Sequence, residues 1–398
     1  MTSFSAVDRD LPSLLASFNL FDPEHEDWKY DAFAYAREHC PVVRTETELT
    51  GPMWMVTRYA DVRRVLEDPQ TFSSEGGSPA PTPIGLGPLD SDPPLHTLFR
   101  KLLNPYLSRK YSLTFEDEMR SIARELIDGF VDNGKVELLS EFAGPFVSRV
   151  LASVVFNETD MTKMEHAKEV VFRVTEDGTE EAFMGLGMLA AEYLAAATEN
   201  PPEEDGILRS LVTGEIGGEP LDPQKALGAI CVLFLGGLDT TRSAIGTIAM
   251  YVALQPELEA RVRDPRWVRN DMDEFIRLTS PVATFGRTVT EDTEVGGCPM
   301  KKGDRVLVRF DSANRDEEKF PNAEQLQFDP PRGGNAGFGL GIHRCVGMHL
   351  ARVEIAVAFE ELFSRITNLR FDGEPGSLKW APGIANCPDR VPLTFDKL

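Results

Sequence analysis

Phe338-Gly339-Leu340-Gly341-Ile342-His343-Arg344-Cys345-Val346-Gly347 packs three glycines and one cysteine into a loop that opens directly onto a helical pattern from Val346 to Ile366. A thiolate at a helix N-terminus is stabilised by the helix dipole and by backbone N–H groups that lack intrahelical partners. Glycines let a flat ligand approach the backbone where a side chain would block it. The stretch therefore suits a metal-binding thiolate, and a packed structural cysteine in a glycine-rich turn is the alternative reading of the same residues.

Upstream of this loop the pattern is mostly helical, with runs at Tyr59–Glu67, Phe115–Asp132, Pro145–Phe156, Met161–Val174, Glu180–Ala197, Pro223–Leu254, Pro256–Val262 and Asp271–Thr279. Short branched or alternating stretches at Trp54–Thr57, Arg305–Phe310 and Val391–Phe395 read as strands, giving a mainly α class with a minor β region. The longest helix starts on an Asp222-Pro223 cap and would run roughly 50 Å at ~1.5 Å per residue. Its centre, Gly236-Gly237-Leu238-Asp239-Thr240-Thr241-Arg242, follows an apolar run and sets two glycines and an acid at mid-helix. A membrane span would strand Asp239 and Arg242 in the bilayer, so a distorted helix lining a buried cavity is the better reading. Between Gly76 and Pro94, six prolines, among them Pro81, forbid all but a short helix and leave a long loop of the kind that covers binding sites.

The 398 residues, 42% hydrophobic, can bury a large core without disulfides. No repeat or linker divides them, so one domain over 1–398 is expected, with no motif in the first forty residues. Phe4 and the leucines nearby are interrupted by Asp8, Arg9 and Asp10, which leaves no signal-peptide core. Five cysteines, an odd number without a CxxC pair, fit a reducing cytoplasm. A net charge of −23 excludes nucleic acid and anionic membrane as general partners.

The spaced set Phe338, Gly341, Arg344, Cys345 and Gly347 resembles the cytochrome P450 monooxygenases, in particular the soluble bacterial class typified by camphor hydroxylase. The resemblance extends from the Trp54-Met55-Val56-Thr57 strand to the C-terminal strands. It implies the cytochrome P450 fold, haem b as cofactor, Cys345 as the iron ligand, and a cradle that includes Phe338, Gly339 and Gly347. A thiolate ligand pushes electron density onto the iron and favours O–O cleavage. The resemblance further implies haem-propionate anchors at His96, Arg100, Arg287 and His343, since buried carboxylates need cationic donors. Glu274 and Arg277, three apart on one helix face, would form a structural brace completed by Arg332, although Pro331 stands where the family more often has an acid. Asp239 and Thr240 would relay protons to dioxygen; with Arg242 beyond the threonine, the oxygen-dependent route is favoured over the peroxide-driven one.

By position in the family, the substrate pocket would be lined by Ile84, Leu86, Val232, Leu235, Gly236, Thr240, Ala283, Thr284, Phe285 and Ile384, with the Phe183–Met188 stretch nearby. Each of these residues reads equally well as core packing. The lining implies a small hydrophobic, uncharged substrate of the terpenoid or small aromatic class, oxidised with O2. With no flavin or nicotinamide fingerprint in the chain, electrons would come from a separate ferredoxin and its reductase. The basic residues Lys101, Arg109, Lys110, Arg344 and Arg352 would steer that acidic donor to a monomeric protein. A non-catalytic haem-thiolate binding or sensing protein is the competing reading, against which the Asp239-Thr240 pair weighs because a sensor needs no proton relay.

Overall fold

The computed structural model describes residues 10–80, 82–267, 271–374 and 377–398. Phe4, Asp8, Arg9 and Pro81, used in the sequence reading, lie outside them.

The apolar run after Pro223 must be buried on every face, and surrounding helices bury it. Met161–Asp177, Glu180–Glu199 and Gly144–Leu151 all pack against Pro223–Leu238. The start is capped as expected, with Asp222 Oδ1 accepting from the N–H of Gln224 (2.9 Å) and Lys225 (3.2 Å). Leu139–Phe156 and Pro223–Leu254 are long and apolar enough to cross a membrane, yet 72% and 61% of their most apolar windows are buried inside the protein. They are core helices here.

The long helix is interrupted once. It runs Pro223–Leu238, passes through Asp239 at φ −96°, ψ −40°, and resumes as Thr240–Leu254. Thr240 Oγ1 donates to the Gly236 carbonyl at 2.7 Å, a back-bond that bends helices.

The helix after the cysteine loop spans Met348–Phe363, shorter at both ends than the sequence pattern. Arg263 ends it by donating to the carbonyls of Phe363 (2.6 Å) and Ile366 (2.5 Å), and Ile366 opens a strand instead. The expected Pro145–Phe156 helix begins earlier, with π turns at Leu139–Ala143 and Ala152–Phe156 flanking Gly144–Leu151.

The β portion comprises a five-stranded sheet in the order Val42–Thr47, Gly51–Val56, Arg305–Arg309, Thr284–Val289, Phe72–Ser73, a three-stranded one of Ile366–Phe371, Pro392–Lys397 and Lys135–Glu137, and two strand pairs, Glu215–Ile216 with Glu219–Pro220 and Thr293–Val295 with Cys298–Met300. The class is mainly α with a smaller sheet portion. The described residues of the early loop hold no helix or strand. Among the first forty residues, where the sequence offered no motif, Leu15, Phe18, Trp28 and Phe33 are buried together against Met55 of the sheet.

Candidate active site

The cysteine loop is folded by its glycines. Gly339 (φ +70°) and Gly341 (φ +67°) adopt left-handed conformations, and a methyl on Gly341 would fall 2.1 Å from the Leu66 carbonyl oxygen. Cys345 N–H donates to Phe338 O at 2.8 Å, which closes the loop, and Gly347 forms the N-cap of Met348–Phe363. Cys345 is exposed and lines a cavity of about 470 Å³ together with Arg100, Leu107, Arg344 and His349. Surrounding atoms still crowd it enough that desolvation raises the thiol above its ordinary value. The N–H groups of Gly347 and Met348, with Arg100 and Arg352, pull the other way and favour the thiolate.

Four basic side chains from three segments meet here: His96 and Arg100 from the helix Leu95–Leu103, Arg287 from a strand, and His343 from the loop itself. The rings of His96 and His343 touch at a tilt of 47° with centroids 4.2 Å apart, and Arg100 Nε lies 3.2 Å from His96 Nε2. Arg100 also donates to the carbonyl of Ile342 (3.0 Å) and to that of Arg344. Arg287, 6% exposed, comes from the strand Thr284–Val289. Burial, with Arg287, His96 and Arg100, pushes the His343 imidazole down to about 3; burial, with Arg100 and Arg287, takes His96 to about 4 despite Asp92. Burial also lowers Arg287 to about 10, partly offset by Asp92. Among the described residues none of the four has a carboxylate within ion-pair distance. Asp92, the nearest acid named in these shifts, is occupied by Ser73 Oγ (2.5 Å) and Ser74 N–H (2.9 Å). The cluster thus joins two cations, Arg100 and Arg287, to two histidines that burial keeps neutral near pH 7, and among the described residues it has no carboxylate partner.

The middle of the long helix faces open space. A methyl on Gly236 would meet nothing within 4 Å, whereas one on Gly237 would strike Leu151 at 2.4 Å. Val232, Leu235 and Thr240 are partly exposed at the centre of the protein, while Asp239 is 2% exposed. Asp239 is held by Arg242, whose Nη2 and Nε lie 2.8 and 3.3 Å from Oδ1 and whose guanidinium stacks on Phe172 at 4.1 Å. That Arg242 grips Asp239 was not foreseen from its place after the threonine, although the i,i+3 spacing allows it.

The brace is built as expected at its core. Arg277, fully buried, pairs with Glu274 through two bonds of 2.8 and 2.9 Å and donates to the carbonyls of Asn314, Ala323 and Gln325. Arg332 approaches Glu274 only to 3.8 Å and bonds Gln327 and Pro321 instead, while Gln327 N–H donates to Glu274 Oε1 at 2.9 Å.

The pocket residues divide. Val232, Leu235, Gly236, Phe285, Ile84 and Ile384 keep open surface. Leu86 (3%), Ala283 (2%) and Thr284 (0%) are packed away, and Thr284 Oγ1 donates to Val308 O at 2.8 Å because its strand position turns it into the sheet. Phe183 is core, and Met184 and Met188 face outward, since the Glu180–Glu199 helix turns its apolar stripe the other way. On the side below Cys345, Lys101, Arg109, Lys110 and Arg344 are exposed, while Arg352 is tied to Asp273 and stacks on Phe338.

Sequence reasoning missed two groups. Ser74 Oγ lies 2.9 Å from His343 Nε2. Glu354, 5% exposed on the Met348–Phe363 helix, bonds Thr241, and its Oε2 has no partner. An acid in an otherwise apolar helical stretch was the available signal for Glu354; nothing local marks Ser74.

A mainly helical body with a cysteine-bearing loop and an interrupted long helix is the architecture of a haem-thiolate class of protein, as comparison with known proteins bears out. A family model described as Cytochrome P450 matches residues 268–381. Cytochrome P450-terp of a Pseudomonas species is 27% identical over 92% of this chain and 94% of its own, and linalool 8-monooxygenase of Pseudomonas putida is 30% identical over 85% and 88%. A solved mutant of P450 EryK in complex with erythromycin B superposes with a TM-score of 0.82 at 26% identity, covering 93% of this chain and 96% of that one. The chain belongs to the cytochrome P450 family of monooxygenases, which bind haem b through a cysteine thiolate. The residues present fit that group. A cysteine lining a cavity, a helix face at Gly236 that no side chain fills, and four converging basic side chains without a carboxylate partner, His96 and Arg287 of them buried, match an iron, a flat macrocycle and two carboxylates.

Proposed function

We propose that this chain is a cytoplasmic, monomeric monooxygenase that inserts one oxygen atom from O2 into a compact, uncharged apolar substrate of the terpenoid or small aromatic class. In this reading Cys345 ligates the iron, and Phe338, Gly339 and Gly347 shape the cradle. His96, Arg100, Arg287 and His343 hold the propionates. The haem, when bound, supplies the oxidising chemistry. The chain's own part is to bind, orient and move protons: Thr240 presents a hydroxyl to the open space beside Gly236, and Asp239, beneath it, carries protons inward when Arg242 lets go. Electrons come from a ferredoxin received on the face of Lys101, Arg109, Lys110 and Arg344, with Arg352 behind them.

The observation that carries the reading is the basic cluster without a carboxylate partner, because Arg287 is a buried cation that needs neutralising, Arg100 adds a second charge, and the neutral histidines beside them still offer N–H donors to the two carboxylates of a macrocycle. Apolar open surface at Val232, Leu235, Phe285 and Ile384 supports an uncharged substrate. The relatives differ in what their names carry: linalool is a small terpene alcohol, erythromycin B a bulky macrolide. The lining favours the smaller kind.

The test is spectroscopic. The reduced, carbon-monoxide-treated protein is expected to show the red-shifted Soret band of thiolate-ligated haem, and Cys345→His is expected to move it to the position typical of imidazole ligation. A wild-type spectrum already of the imidazole type would refute the assignment. A panel of uncharged terpenes and small aromatics is expected to displace the water ligand, with fatty acids and macrolides inactive; preference for a carboxylate substrate would refute the substrate class.

A further inference from the structure

The segment 82–91 of the early loop lies on two helices, and at each contact the helix carries a glycine. A methyl on Gly228 of the long helix would fall 2.4 Å from the Gly85 carbonyl oxygen and 2.7 Å from the Gly87 nitrogen. From the other side, a methyl on Gly87 (φ +54°) would fall 2.6 Å from the Ala229 nitrogen. On the helix Glu180–Glu199, a methyl on Gly187 would fall 3.3 Å from Ile84 Cγ2. Glycine is a poor helix former, so two helices that keep one where the loop sits closest have exchanged helix stability for close approach, of backbone at Gly228 and of the Ile84 side chain at Gly187.

The loop is also folded on itself. Leu86 N–H donates to Asp90 Oδ2 at 2.7 Å, and Thr82 Oγ1 donates to Ile84 O at 2.9 Å. Leu86 is buried in the same apolar cluster as Phe183, Leu186, Ile230 and Phe234. Just past its far end, Asp92 anchors Ser73 and Ser74, the latter bonded to His343. The loop therefore arches from the basic cluster to the long helix, about one to two turns before the open face at Val232, Leu235 and Gly236.

We propose that Gly228 and Gly187 are specificity-determining residues that seat the 82–91 loop as a low roof and restrict the site to compact substrates. This rests on the haem-site reading above for what the roof covers, but the seating of the loop itself does not. A bulky substrate must lift a roof fixed by backbone-to-backbone contact, which no rotamer change can relieve, whereas a compact one enters beneath it. At Gly187 the opposing atom ends a flexible side chain, so that contact is the softer of the two.

The experiment compares Gly228→Ala, Gly187→Ala and Gly185→Ala in the haem-loaded protein. Gly185 is the control: it lies on the same helix as Gly187, and its methyl would make only an ordinary 4.0 Å contact with Val170. The first readout is the rate of limited proteolysis within residues 76–94, followed by mass spectrometry. The second is the ratio of spectral binding affinities for imidazole and for a bulky aryl-substituted imidazole. In Gly228→Ala, loop cleavage is expected to rise about tenfold and the ratio to shift about tenfold toward the bulky ligand, because both follow the population of the open loop. Gly187→Ala should change both about threefold, and Gly185→Ala neither. Loop cleavage and affinity ratio both within about twofold of wild type in a folded Gly228→Ala would overturn the proposal. If that variant loses its fold, Gly187→Leu decides by the same two readouts and thresholds. A wild-type protein lacking a thiolate-haem spectrum would sink the haem-site reading through the affinity arm alone, leaving the proteolysis arm to judge the seating.

Discussion

Replacing Glu354 by glutamine should change how stability depends on pH in a way few other substitutions in this protein could. Burial pushes the Glu354 carboxyl from 4.5 up to about 8, while the Thr241 hydroxyl donating to it pulls weakly the other way. In the unfolded chain the proton is released near the ordinary value; in the folded protein it is held until about 8. Between these limits the folded state binds more protons, so stability falls as pH rises, from full value below 4.5 to complete loss of the contribution above about 8. A gap of about 3.5 pH units at roughly 1.4 kcal/mol each bounds the effect near 5 kcal/mol. Glutamine has the same shape, keeps the bond to Thr241 and cannot ionise, at a fixed cost of about 1–2 kcal/mol for amide hydrogens left without acceptors. Urea unfolding of both proteins at pH 5.5, 6.5 and 7.5 measures the difference, in which all other titrations cancel. Relative to wild type, Glu354→Gln should gain roughly 1.4 kcal/mol per pH unit across this range. A difference constant to about 0.5 kcal/mol from pH 5.5 to 7.5 would refute the reasoning.

Arg277→Lys removes a guanidinium that reaches five oxygens and leaves an ammonium with three donors, so a loss of about 3–5 kcal/mol in unfolding free energy is expected. Asp239→Asn breaks the pair with Arg242 and removes the acid beneath Thr240. Product turnover should drop about a hundredfold, with an enlarged solvent isotope effect and unchanged substrate affinity by spectral titration. The double reversal Lys101→Glu with Arg109→Glu should slow reduction by an acidic ferredoxin about tenfold at low salt and flatten its salt dependence, as followed by stopped-flow.

What could be read from the sequence was local, and what could not was set by distant partners. The cysteine loop was legible because its glycines, its cysteine and the following helix are contiguous, so their spacing alone states the geometry. Glu274 and Arg277 were legible for the same reason, one helical turn apart. The register of the sheet was not, and Thr284 was misjudged because its hydroxyl answers to Val308, twenty-four residues on. Met184 and Met188 were misjudged because an apolar residue at helical spacing says that a face exists but not which way the helix turns it. The roof loop is the extreme case. Gly85, Gly87, Gly187 and Gly228 look like unrelated breakers in a loop and two helices, and only the fold shows that Gly228 receives Gly85 and Gly87 while Gly187 receives Ile84. A glycine missing its side chain records the position of something else, so its meaning lies in the neighbour. In this chain those neighbours are backbone atoms at Gly228 and a flexible side chain at Gly187, which is why the two positions should respond unequally to the same methyl group.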